Sequence, residues 1–116
     1  MVTHTHWEKL ELEKLSGALS RRMVSTERMT IARVFLKKGA VVPRHFHPNE
    51  QITMVMSGAL KFIFDDHELV VRPGEILLIP ADVPHAAEAL EDTDDMDVFS
   101  PPREDWIRKD DAYLRK

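Results

Sequence analysis

The sequence predicts an all-β domain, built as an antiparallel sandwich or barrel. From Ala18 onward it divides into short strand-like stretches separated by Gly, Pro, Asp and Asn. No long segment with a 3.6-residue apolar period interrupts them. At 116 residues the chain has room for one domain with a single core, and none for an added DNA-binding or regulatory domain.

Residues 1–17 form an N-terminal arm, in which 7–15 could be an amphipathic turn or an edge strand. His4 and His6 sit in this arm without a third ligand nearby and are set apart from the expected site. The barrel spans 18–100, with strands expected at 18–24, 29–37, 41–47, 51–57, 59–65, 68–72, 76–79, 85–90 and 95–100. Turn signals separate several of them: Lys38-Gly39, Pro48-Asn49, Ser57-Gly58, Asp65-Asp66 and Pro73-Gly74. His67 falls in the Asp65–Glu68 turn and reads as a solvated loop residue. Residues 101–116 form a charged tail.

The net charge of −4, with acids and bases intermixed, offers no basic stripe for nucleic acid or an anionic membrane. Zero cysteines exclude disulfides, thiolate ligands and a cysteine nucleophile. The first residues lack the apolar run of a signal peptide and no stretch is long enough to span a bilayer, so a cytoplasmic protein is expected.

Two histidine stretches carry chemistry. The first runs Gly39-Ala-Val-Val-Pro-Arg-His45-Phe-His47-Pro-Asn-Glu-Gln51, and the second Gly74-Glu-Ile-Leu-Leu-Ile-Pro80-Ala-Asp-Val-Pro-His85. Side chains two apart on a strand share a face, so His45 and His47 can reach one ion, and Gln51 has their parity. Glu50 has the opposite parity and should point away, although Pro48 interrupts the strand. His85 then arrives by folding. One lone histidine would read as a satisfied core residue; three at this spacing favour a divalent transition metal such as nickel, zinc, iron, manganese or cobalt. With the neutral amide of Gln51 the ion keeps its full charge and favours an anionic ligand.

On 51–57, if Gln51, Thr53 and Val55 face inward, Ile52, Met54 and Met56 form an outward apolar row that a partner subunit or the N-terminal segment should cover. On 95–100, Asp97 and Phe99 share a face, and Pro101-Pro102 turns Arg103 back toward them. A carboxylate, an aromatic plane and a guanidinium could line one opening. From these residues alone, a core Phe99, a rim Asp97 and a surface Arg103 are the simpler account.

The two histidine stretches resemble the paired motifs of the cupins, whose fold is a double-stranded β-helix, or jelly roll. Three positions depart from that pattern: Gln51 replaces a glutamate, Asp82 a glycine and Ala89 an asparagine. With Asp97-x-Phe99 and Pro102-Arg103-Glu-Asp added, the stretch from Gly39 to Trp106 is similar to the pectin-degradation cupins of the KdgF type. That resemblance implies conversion of 4,5-unsaturated uronates, small anionic sugars, into linear keto sugars. It implies His45, His47, Gln51 and His85 as metal ligands, Asp97, Phe99 and Arg103 as pocket residues, and a homodimer is expected. In the mechanism it implies, the metal and Arg103 hold the carboxylate while Asp97 moves protons. An iron-dependent dioxygenase and a non-catalytic sugar-binding or sensing cupin are the alternatives. A dimethylsulfoniopropionate-lyase type is disfavoured because the only tyrosine, Tyr113, falls in the charged tail.

Overall fold

The computed structural model describes residues 1–115. Ten strands follow in order: β1 (Glu13–Lys14), β2 (Leu19–Ser25), β3 (Thr30–Leu36), β4 (Val41–His45), β5 (Glu50–Ser57), β6 (Leu60–Ile63), β7 (Glu68–Val71), β8 (Ile76–Ile79), β9 (His85–Ala89) and β10 (Thr93–Ser100). A single helical turn α1 (Glu104–Ile107) and a 3-10 turn (Ala112–Leu114) complete the tail. The expected strands all form; several are shorter by one to three residues where a turn takes over, while those at 50–57 and 93–100 begin earlier than expected. The segment left open at 7–15 resolves into a 3-10 turn at Trp7–Lys9 and the two-residue β1, which pairs with β2.

The strands make two antiparallel sheets, ordered β1-β2-β3-β10-β5-β8 and β4-β9-β6-β7. Alternation places one face of each strand inside. On β3, Thr30, Ala32, Val34 and Leu36 are buried, and on β10, Thr93, Asp95, Asp97 and Phe99 are. Leu19, Leu36, Val55, Leu60 and Phe62 belong to the apolar core between the sheets. Burial of each such side chain stabilises the fold by about 1.5–3 kcal/mol before chain entropy is counted.

The cupin-pattern glycines have local causes. A Cβ at Gly58, whose φ is +94°, would collide with the Asp92 carbonyl and with Thr93. Asp82, at the position where the pattern has glycine, keeps the left-handed backbone at φ 64°. Aspartate is among the few residues that tolerate that region, which explains how the motif survives the exchange.

The outward face of β5 carries the expected row: Ile52 is 39% and Met56 48% exposed, with Met54 between them. β8, which pairs with β5 at the sheet edge, extends the row with Ile76 and Leu78, 66% and 68% exposed. The N-terminal segment does not cover this face. Its Trp7 ring lies instead near Arg33 of β3, and its carbonyl accepts from Arg22.

Candidate metal centre

Three imidazoles meet between the sheets. His45 ends β4 and pairs in register with His85, the first residue of β9, so the strand ladder itself brings the two motifs together. Their ring centroids are 4.5 Å apart. His47 lies beyond the end of β4, so its approach is set by the β4–β5 loop and not by the strand alternation expected over 41–47. One ring nitrogen from each histidine lies within 4.8 Å of the others, the only such cluster of possible metal-binding side chains among the described residues.

Backbone carbonyls fix each ring. Nδ1 of His45 is 2.8 Å from the Pro43 oxygen, Nδ1 of His85 2.8 Å from that of Val83, and Nδ1 of His47 3.1 Å from that of Asn49. A carbonyl only accepts, so each Nδ1 carries the proton and each Nε2 keeps its lone pair. Burial lowers the pKa of His45 and His47 to about 4 and lowers that of His85 as well, so the imidazoles are neutral at neutral pH.

Gln51 reaches this cluster from the other sheet. Its amide nitrogen donates to Thr53 Oγ1 at 2.8 Å and, more weakly, to Asp97 Oδ1 at 3.5 Å, which turns its oxygen toward His47. Gln51 Oε1 and His47 Nε2 then stand 3.1 Å apart, two lone pairs with no proton between them. A cation among these atoms would convert that repulsion into coordination, so the donor set suits a divalent transition ion. Glu50, next in sequence, is exposed and points away.

Asp97 is beside this set. It is 5% exposed and accepts from the Thr53 hydroxyl at 2.7 Å. Burial raises its pKa above the ordinary 3.8, against the hydrogen bonds from Asp95 and Thr53 that favour the carboxylate. Asp95, two positions earlier on the same face, escaped the sequence reading. Burial, with the charge of Asp97 added, lifts its pKa well above the ordinary value. The alternation that linked Asp97 to Phe99 also includes Asp95, so the signal was present.

Arg103 is inside, 1% exposed, not on the surface. Its guanidinium lies 4.0 Å from the Trp106 ring centroid and 4.6 Å from that of Phe99. In this conformation its fork is closed by Asp105, with Nε 3.0 Å from Oδ1 and Nη2 2.9 Å from Oδ2. Asn49 anchors the start of this segment by donating to the carbonyls of Pro101 and Pro102.

Tyr113 does not trail away with the tail. It lines the cavity, and its ring lies 4.8 Å from that of His45. The cause is a buried ion cluster: Arg21 Nη2 pairs with Asp111 at 2.8 Å and Arg21 Nε with Glu13 at 3.0 Å, while Lys109 reaches Glu13 at 3.0 Å. These contacts fold the tail back over the barrel, so the expectation that the pocket has no tyrosine is corrected. Charged residues in a tail ordinarily signal solvent, and only the folded chain reveals that these charges pair. The space lined by His45, His85, Asp97, Phe99, Trp106 and Tyr113 is about 60 Å³. That enclosed part is smaller than the cavities of about 150 Å³ that hold benzene, so in this conformation it takes only part of a sugar ring.

His4, His6 and His67 lie elsewhere. His6 Nδ1 accepts from the Glu8 amide, His4 is exposed, and His67 stacks on Phe64 at 5.0 Å and bonds Asp66.

The cupin-domain family profile matches residues 32–100. No curated protein sequence matches the chain. Among solved structures it is similar to KdgF from Halomonas sp., with 26% identity over 91% of this chain and 99% of that one and a TM-score of 0.84. An RmlC-like cupin from Shewanella frigidimarina NCIMB 400 is 27% identical over 91% and 96%, with a TM-score of 0.83. The polyketide cyclase RemF from Streptomyces resistomycificus, 23% identical over 87% and 80% at a TM-score of 0.74, shares the fold alone. Among the described residues no helix is long and apolar enough to cross a membrane.

Proposed function

Because the chain belongs to the cupin family, we propose that its histidine cluster is a divalent-metal centre and that it converts 4,5-unsaturated uronates into linear keto sugars. The observation that carries this reading is the position of Asp97: a buried carboxyl of raised pKa, joined through Thr53 and Gln51 to the three-histidine cluster. Similarity in sequence and fold to KdgF supports it.

His45, His47, His85 and Gln51 would hold the ion. When bound, it supplies a Lewis acid for an anionic oxygen of the sugar. Asp97 takes the proton of the anomeric hydroxyl as the bond from the anomeric carbon to the ring oxygen breaks, giving an aldehyde and an enolate. A proton delivered to the alkene carbon that carries no oxygen then leaves a ketone, so the product is an isomer of the substrate. Its raised pKa makes Asp97 a stronger base than an ordinary carboxylate, which suits it to take this proton and then return it. Phe99, buried against Trp106 at 5.0 Å between ring centroids, keeps water from the reacting carbon.

A second copy of the chain covers the outward row of Ile52, Met54, Met56, Ile76 and Leu78, since a monomer rarely leaves a continuous apolar row in water.

The decisive assay follows the loss of the ring alkene of a lyase-generated unsaturated uronate, with and without the metal-loaded protein. Decay at the spontaneous rate with metal bound rejects this reading. Oxygen consumption instead would point to a dioxygenase.

A further inference from the structure

Tyr113 is the chain's only tyrosine, and its hydroxyl has an unequal set of partners. Arg103 Nη2 approaches its oxygen at 2.8 Å and Trp106 Nε1 at 3.2 Å. A guanidinium and an indole N–H can only donate, so both accepting positions of the phenol oxygen are filled. The hydroxyl proton must therefore point to a third atom, and among the described residues no acceptor receives it. Tyr113 lines the cavity beside His45, so the free proton belongs to the site.

The neighbouring cation differs in this respect. Nε and Nη2 of Arg103 are both committed to Asp105, and Nη2 also reaches Tyr113. Burial would raise the Asp105 pKa, but hydrogen bonds from Arg103 outweigh it and keep the carboxylate ionised. To receive a ligand carboxylate in its Nε/Nη2 fork, Arg103 would first have to give up this partner; only its Nη1 edge is without a protein partner among the described residues. Tyr113 gives up nothing, and two donors on its oxygen make its own proton a better donor.

Resting on the uronate reading, we infer that Tyr113 donates the hydrogen bond that recognises the ligand's carboxylate, and that Arg103 is a positioning residue acting through Tyr113. The specificity this confers is for an acid over its ester, because an ester oxygen is a much weaker acceptor than a carboxylate.

The test uses binding, independent of turnover. Calorimetry on the zinc-loaded protein compares galacturonate with its methyl ester, for the unmodified chain and for Tyr113→Phe. The unmodified chain is expected to prefer the acid by about tenfold or more, and Tyr113→Phe to lose most of that preference. A merely structural hydroxyl would weaken both ligands alike and leave the ratio unchanged; that result overturns the inference, as does an unmodified chain with no preference. Arg103→Lys added to Tyr113→Phe should lower the ratio no further, whereas additive losses would mean that Arg103 touches the carboxylate itself. If Tyr113→Phe fails to fold, biosynthetic 3-fluorotyrosine labels this position alone. Its fluorine resonance should move with galacturonate and not with the ester, and an unmoved resonance at saturation rejects the contact. An unmodified chain that prefers the acid but opens no unsaturated uronate sinks the ring-opening reading and leaves this inference standing.

Discussion

Asp95 and Asp97 stand two residues apart on the inner face of β10, both closed off from water, with the charge of Asp97 acting on Asp95. Burial raises both pKa values above 3.8, that of Asp95 the more strongly. The folded protein thus keeps protons that the unfolded chain has released. Their stabilising contribution is complete below the unfolded pKa and is lost as pH rises through the folded pKa. The histidines work oppositely, since His45 falls from 6.5 to about 4 and destabilises the fold as pH drops between those values. Comparing Asp95→Asn with the unmodified protein cancels the histidine effect. The variant's melting temperature should gain on the unmodified protein as pH rises from about 4, and parallel profiles in metal-free samples would refute a raised Asp95 pKa.

The ligand set makes a second prediction. His45→Ala, His47→Ala and His85→Ala should each lose the metal yet keep the barrel's circular dichroism, because an apolar core between the sheets surrounds the site. Gln51→Ala should weaken binding by about tenfold or more, and Glu50→Ala should leave it unchanged. Metal analysis after dialysis reads all five. Loss of metal from Glu50→Ala with retention by Gln51→Ala would show that the ligand oxygen is misassigned.

Asp97→Asn keeps the shape of the carboxyl and removes its transferable proton. Turnover of unsaturated uronate should fall by roughly 100-fold or more at constant metal content, as for a lost general acid or base. Phe99→Ala should lower turnover and raise the Michaelis constant together, since it opens a cavity beside Trp106 and admits water. Unchanged turnover in Asp97→Asn would remove it from the chemistry.

Sedimentation tests the apolar face. The unmodified chain should run as a dimer at micromolar concentration, and Met54→Glu or Leu78→Glu should shift it toward monomer by placing a charge in the contact. A monomeric unmodified chain would end the idea.

The strands were legible because period-two alternation and turn residues are local signals, and the metal-binding cluster because its spacing is carried by two short stretches. Even so, His47 reached the cluster by a loop and not by the strand parity that suggested it. Asp95 was legible in principle but lacked a reason to be singled out. Arg21, Asp111 and Tyr113 were not legible at all. Their roles depend on contacts 90 residues apart between Arg21 and Asp111, which no window along the chain contains.

That same ion pair has a consequence for engineering. The segment that identifies the family, residues 32–100, includes every proposed metal ligand but neither Arg21 nor the tail that Arg21 anchors. On the proposed role of Tyr113, diagnosis and selectivity are written in separate parts of the chain. Varying only residues 104–114, with Asp111 retained as the anchor, offers a library in which the reaction centre stays constant while the shape of what can approach it changes.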